Sequence, residues 1–138
     1  MKIFIAFFFF ITTIIANDLE LESSIFNTII QAITSKSNPK VYIHTEVESL
    51  EKNPKNLQII QLCKDSDIVV LSTLKNIPQA CDGKIFFGTR YGHLKNPDVI
   101  GAFFWQKGRP NILFYKSRLN MYGIKLDENF GKYIENDK

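Results

Sequence analysis

Eight side chains that could bind a small ligand follow short apolar runs in this sequence. Two of the runs, Asp67–Ser72 and Lys84–Thr89, consist mainly of β-branched or aromatic residues. A strand buried on both faces reads as such a run, so both predict central strands of a parallel sheet. Ligands of an open α/β sheet bind beyond the carboxyl ends of its strands, which places the eight side chains on one rim. They are His44, Thr45, Ser72, Thr73, Thr89, Arg90, Tyr91 and His93.

This rim predicts a small pocket for a polar or anionic ligand. Gly88 and Gly92 would allow the backbone to approach a ligand closely. Helices beginning at Thr45 and Thr73 would offer free backbone amides to it. The alternative is that the hydroxyl side chains only cap helices and that the charged residues of the rim are solvated. The sequence leaves both interpretations open.

No arrangement of a nucleophile with a base is found in the chain. A Gly-x-Ser-x-Gly motif is missing, and neither Cys63 nor Cys81 is flanked like a catalytic thiol. The glycine-containing stretch 88–92 lacks the Lys-Ser/Thr pair of a phosphate-binding loop. The cysteines and the two histidines show no close metal-ligand spacing. We therefore expect a protein that is not an enzyme and needs no metal or cofactor.

Residues 1–16 have the pattern of a secretory signal peptide. A lysine is followed by the uncharged apolar run Ile3–Ile15 and by the small residue Ala16. The run is shorter than the roughly 20 residues of a membrane-spanning helix. Ile14 is bulky for its place before the cleavage point, so an uncleaved anchor is the alternative. We expect export to the periplasm, no membrane span after cleavage, and one α/β domain over residues 17–138.

The charge of the chain bears on its partners. The formal charge is +3, and one lysine would leave with the signal peptide. Proteins that bind nucleic acids usually carry a concentrated basic face, so this nearly neutral surface argues against a nucleic-acid partner.

The two cysteines, Cys63 and Cys81, predict a disulfide. Thiols of an exported protein meet an oxidising compartment, where they tend to pair. Each cysteine precedes a central strand by a similar interval, so both would lie near the same edge of neighbouring strands. Two buried thiols that pack as small hydrophobic residues are the alternative.

The first half of the chain predicts elements that cover and extend the sheet. After Ser23-Ser24, isoleucines recur at helical spacing and predict a helix that ends before Asn38-Pro39. A strand follows at Lys40–His44, and Thr45-x-x-Glu48 has the form of a helix capping box. Residues 57–62 fit an edge strand, although Asn53-Pro54 could also begin a helix there.

The second half predicts a β-hairpin, which makes the sheet mixed. The apolar runs Val99–Trp105 and Asn111–Tyr115 flank a turn that contains Gly108. A helix is expected over 116–122 with a glycine after it, and a last helix is expected after Asp127. The fold class is therefore α/β, with a small, mainly parallel sheet, helices on both faces and a hairpin near the C-terminus.

The aromatic residues of the hairpin predict a surface for a protein partner. Adjacent strand residues face opposite sides, so the aromatic side chains cannot all point inward. We expect Phe103 and Trp105 to share the exposed face, with Lys107 and Arg109 at its margin. The alternative is that terminal helices cover this face.

The order of these elements resembles the YfiR-like family of periplasmic proteins. The residues that carry the resemblance are Asp67–Ser72, Ile100–Phe104, Gly108-Arg109 and Tyr122–Leu126. The chain departs from the family at Asp67, where the family often has a cysteine. The resemblance implies a regulator that holds the periplasmic domain of an inner-membrane signalling protein, commonly a diguanylate cyclase. The second hypothesis is a single-lobe protein that captures a small polar solute at the strand rim.

Overall fold

The computed structural model describes residues 2–136, and describes side chains for residues 18–136. Its first helix, α1, spans Lys2–Thr34. The predicted signal peptide therefore falls where side chains lie outside the described residues, and it stays a prediction. Ser23 lies inside α1 and not before it, and its buried hydroxyl donates a hydrogen bond to the carbonyl of Asn53. Among the residues with described side chains, no helix is long and apolar enough to cross a membrane.

The sheet has seven strands in the order β2-β1-β3-β4-β5-β6-β7. The strands β1 to β5 are parallel, β6 is antiparallel to β5, and β7 is parallel to β6. This confirms the predicted α/β class with a mixed, mainly parallel sheet. The strands are β1 Lys40–His44, β2 Gln58–Ile60, β3 Ile68–Leu71, β4 Phe86–Gly88, β5 Val99–Gln106, β6 Arg109–Tyr115 and β7 Ile134–Glu135.

The apolar run at β3 is buried on both faces, as its composition predicts. All four of its residues are buried, and it pairs with β1 on one side and β4 on the other. The ambiguous segment 57–62 contains the edge strand β2. A short connection suffices to return the chain from β2 to β3, because β2 has only three residues.

One face of the sheet is covered by α-helices. Phe26 of α1 packs against Phe87 and Phe103, and Phe87 also contacts Phe114. The short helix α2, Glu48–Lys52, and helix α3, Lys116–Met121, each add a buried leucine to this cluster. We call this side the helix-covered face.

Helix α3 ends as the sequence predicts. Gly123 has a positive φ of 66° and donates to the carbonyl of Asn120, while Ile124 donates to the carbonyl of Leu119. This pair of bonds is the Schellman arrangement that favours glycine after a helix. The predicted cap at Asp127 is also present, although the helix that follows, Glu128–Tyr133, is a 3₁₀ helix.

The opposite face is covered by loops and 3₁₀ helices, and we call it the loop-covered face. Its 3₁₀ helices are Cys63–Asp65, Gln79–Cys81 and Tyr91–Lys95. A disulfide joins Cys63 to Cys81 with the Cα atoms 5.3 Å apart, which confirms the predicted pairing. Both cysteines are buried in the second core cluster with Val69 and Leu71.

Candidate functional site

The hairpin of β5 and β6 projects beyond the rim of the sheet. Strand β4 pairs with β5 only as far as Ala102, whereas β5 continues to Gln106. At about 3.4 Å per residue, the hairpin extends roughly 14 Å past that pairing. Lys107 and Gly108 both have positive φ, the geometry of a two-residue turn that fits the twist of its strands. Every residue from 105 to 110 is exposed.

Trp105 is held in place at the base of this projection. Trp105 is 40% exposed as a residue, and its ring lies edge-on to Phe103 at 5.9 Å between ring centroids. The indole Nε1 donates a 2.7 Å hydrogen bond to Oε1 of Glu22 on α1. The aromatic side chain is therefore oriented without being removed from solvent.

Two depressions lie beside Trp105, and they share Thr89 and Arg90 as lining residues. The first, which we call the helix-side depression, has a volume of about 220 Å³. Its lining is Glu22, Phe26, Glu46, Val47, Glu48, Ser72, Thr89, Arg90, Phe103 and Trp105. The second, the tyrosine-side depression, has a volume of about 350 Å³. Its lining is Thr89, Arg90, Tyr91, Phe104, Trp105 and Gln106.

The two histidines of the predicted rim support the loops. His44 is buried, and its Nε2 lies 2.7 Å from the carbonyl of Lys75. His93 is also buried, and its Nδ1 accepts a hydrogen bond from the backbone amide of Thr89. Burial lowers the pKa of His93 below its ordinary value, and the cations Arg90 and Lys95 lower it further.

Gly88, one of the two glycines named at the predicted rim, leaves the space that His93 occupies. A Cβ atom placed on Gly88 would lie 2.7 Å from the Cβ of His93. The close approach at Gly88 therefore admits this histidine and not a ligand.

The predicted helix starts at the rim are wrong. Thr45 adopts a positive φ of 80° in a loop, and α2 begins only at Glu48 with no side-chain cap. No helix begins at Thr73, whose hydroxyl accepts from the backbone amide of Lys75 in a turn. Ser72 is bonded in the same region, because its hydroxyl donates to the carbonyl of His44. Neither threonine offers a helix N-terminus to a ligand.

The prediction that Phe103 lies on an exposed face is wrong. Phe103 and Trp105 do share a side of β5, but that side is the helix-covered face, and Phe103 is 1% exposed beneath Phe26. Lys107 and Arg109 are exposed at the tip of the hairpin, as predicted. Phe103 thus forms part of the support for Trp105.

Tyr91 takes the place on the surface that Phe103 was expected to have. Its side chain is 62% exposed, and its ring packs edge-on to Phe104 with centroids 5.6 Å apart. Arg90 is also exposed, and among the described residues no carboxylate lies within ion-pair distance of it. The sequence placed Tyr91 on the predicted rim, but it did not show the contact with Phe104 that holds the ring at the surface.

The cation and the two aromatic rings form one exposed surface, which we call the aromatic surface and define as Arg90, Tyr91 and Trp105. Within residues 18–136, no group of three or more histidine, cysteine or acidic side chains could hold a metal ion. Comparison of the chain with protein-family models, with curated proteins and with solved structures found no match.

Proposed function

We propose that the chain is an exported, non-enzymatic protein that binds a protein partner through the aromatic surface and the neighbouring hairpin. The observation that carries the proposal is that Tyr91, Arg90 and Trp105 line one depression. Tyrosine, tryptophan and arginine are the residues that most often dominate the binding energy of protein interfaces. The surface combines these three residue types with direct support from the core.

The support beneath the aromatic surface favours binding. Phe104 packs under Tyr91, and Glu22 fixes the indole of Trp105. Side chains that already occupy a defined position lose less conformational freedom when a partner binds. Lys107 and Arg109 stand at the hairpin tip, where they add positive charge to the margin of the interface.

The resemblance to the YfiR-like family suggests the class of partner. On that basis we propose the periplasmic domain of an inner-membrane signalling protein, with this chain as its regulator. The predicted signal peptide supports the periplasmic location in the same proposal.

The experiment compares capture of membrane proteins by the mature, disulfide-bonded chain and by variants of it. Tyr91→Ala and Trp105→Ala should each weaken capture of the same partner by about tenfold or more. Melting temperatures should stay within about 4–8 °C of the parent, since neither side chain is buried. Met121→Ala is the matched control, because Met121 is 73% exposed on α3 and lies outside the surface.

Two results would contradict the proposal. One is equal capture by the parent and by both aromatic variants. The other is a large loss of stability in Trp105→Ala, which would mean that the indole acts as part of the core.

A small polar solute is the second candidate, and the helix-side depression favours it. Of the predicted rim, Ser72, Thr89 and Arg90 line this depression. Its volume of about 220 Å³ is below the roughly 300–1,000 Å³ of pockets for drug-sized ligands. A polar solute bound here should raise the melting temperature of the parent but not that of Arg90→Ala. An unchanged melting temperature of the parent across small polar metabolites would exclude this candidate.

A further inference from the structure

The outer edge of β5 is open where the hairpin projects. Residues 103–106 pair with β6 on one side. On the other side, the pairing of β4 with β5 ends at Gly88 and Ala102, before it reaches them. A strand edge of this kind presents backbone groups that can pair with another chain. Thr89 and Arg90 follow β4 and line both depressions beside this edge, so a further strand would pair beyond them, at Trp105.

The pairing pattern shows which backbone groups face the open edge. The two-residue turn closes on the pair Gln106↔Arg109, which in such a hairpin exchanges both backbone hydrogen bonds. The alternation then makes Trp105↔Pro110 a pair without hydrogen bonds, which suits a proline that has no N–H. The N–H and C=O of Trp105 therefore point away from β6. Within the described residues, no backbone bond outside the strand ladders reaches either group.

The two depressions lie on opposite sides of this edge. The helix-side depression is lined by Phe103, which faces α1, and the tyrosine-side depression is lined by Phe104, which faces the loops. Side chains of a strand alternate between its two faces. A strand added at the edge would therefore direct alternate side chains into the two depressions.

The chemistry of the depressions differs in a way that selects those side chains. Glu22, Glu46 and Glu48 line the helix-side depression, where Arg90 is the one basic lining residue. The carboxylates outnumber the guanidinium, so this side favours a cationic side chain. The tyrosine-side depression offers the rings of Tyr91 and Phe104 to an apolar side chain.

We propose that the partner contributes an extended segment that adds a strand to the open edge of β5. Basic side chains of the segment alternate with apolar ones, the basic ones entering the helix-side depression and the apolar ones covering Tyr91. This inference rests on the proposed function, because it states how the same surface holds its protein partner. Main-chain hydrogen bonds give such a complex affinity, and the alternating depressions give it specificity.

The test uses the mature, disulfide-bonded chain and a short capped peptide in which Lys and Val alternate. Binding should slow amide hydrogen exchange at Trp105 by about tenfold or more, since this N–H gains a partner. The amides of Phe104 and Gln106 already bond to β6 and should change little. Methylation of the backbone nitrogens along the edge of the peptide that would pair with β5 should weaken binding by about tenfold, which corresponds to roughly 1.4 kcal/mol.

A charge exchange tests the predicted side-chain preference. Glu46→Lys should weaken binding of the Lys-Val peptide and strengthen binding of a Glu-Val peptide. Glu51→Lys is the matched control, because Glu51 is exposed on α2 but does not line the depression. Equal binding of methylated and unmethylated peptides would overturn the strand addition. Equal effects of the two lysine substitutions would overturn the placement of the basic side chain.

The results separate this inference from the function on which it rests. If neither peptide binds but Tyr91→Ala and Trp105→Ala still reduce partner capture, the strand addition is wrong and the partner surface stands. If capture is also unaffected, both are wrong. Concentration-dependent dimers with protected Trp105 amides in the absence of peptide would overturn the inference in favour of a second copy of the chain.

Discussion

The two faces of the sheet are stabilised in different ways. The helix-covered face buries large aromatic side chains such as Phe26, Phe87 and Phe114 against one another. The loop-covered face has a smaller apolar cluster and is held by a disulfide. The difference follows from the covering elements, because an α-helix satisfies its own backbone hydrogen bonds whereas a buried loop requires other partners.

Side chains supply those partners on the loop-covered face. Arg118 donates from one guanidinium nitrogen to the carbonyls of Leu94, Asn96 and Val99. Lys84 donates to two further loop carbonyls. A hydrogen bond from a charged donor contributes about 1.5–3 kcal/mol to stability. The loop-covered face is therefore held together by a disulfide and by hydrogen bonds from particular side chains to loop carbonyls.

The largest expected effect compares adjacent phenylalanines on β4, one on each face. Phe87→Ala should reduce the free energy of unfolding by about 3–5 kcal/mol, because its neighbours are held by packed helices and cannot fill the cavity. Phe86→Ala should cost less, since the loops over it can collapse into the space. Urea unfolding followed by circular dichroism measures the free energy of unfolding of each variant. If the Ala variants do not fold, Phe87→Leu and Phe86→Leu allow the same comparison with smaller losses. Equal losses would contradict the distinction between the faces.

The second effect concerns the disulfide of the loop-covered face. Reduction of Cys63–Cys81, which are separated by 18 positions, should lower the free energy of unfolding. The chain-entropy estimate for such a loop is about 3 kcal/mol. Hydrogen exchange should accelerate over residues 63–81 and change little over residues 18–34 of α1. The double variant Cys63→Ala/Cys81→Ala is the control, and its stability should not change when reductant is added. Coincident unfolding curves for the oxidised and the reduced parent would show that the disulfide does not stabilise the fold.

The smallest effect is a pH dependence that arises from His93 on the same face. The folded state keeps this imidazole neutral, because its Nδ1 accepts from Thr89 and its pKa is lowered. The unfolded state binds the proton more strongly, so stability is complete above the ordinary pKa of about 6.5 and falls as the pH drops below it.

The variant His93→Asn isolates this contribution. The asparagine oxygen can accept from Thr89 but does not titrate. We expect a loss of about 1 kcal/mol near neutral pH, because the smaller side chain packs less well. The stability difference between parent and variant should then shrink as the pH falls below about 6.5. A constant difference down to about pH 5 would show that His93 does not titrate on unfolding.

The sequence predicted those elements whose own residues determine them. Strand β3 was identifiable because four consecutive apolar residues, three of them β-branched, favour a strand covered on both sides. The hairpin was identifiable because two apolar runs flank a turn that contains Gly108, which adopts a positive φ of 73°. The disulfide followed from the cysteine count and the predicted export.

The candidate site was less predictable because it depends on which elements cover each face. Alternation placed Phe103 and Trp105 on one side of β5, but it could not show that α1 covers that side. The Thr45-x-x-Glu48 pattern failed for a similar reason, since the loop after β1 takes a positive φ at Thr45. The role of Tyr91 depends on its contact with Phe104 from a distant segment, which no local pattern contains.

The lengths of the outermost strands have a consequence for solubility. Strand β2 has three residues and β7 has two, so both ends of the seven-stranded sheet present very little pairing edge. Short edge strands hinder the edge-to-edge growth by which sheets form aggregates. Concentrated solutions should therefore resist aggregation from the ends of the sheet, and any ordered aggregate should begin from residues 103–106 of the hairpin. A charged substitution at Gln106 would then improve solubility without touching the core.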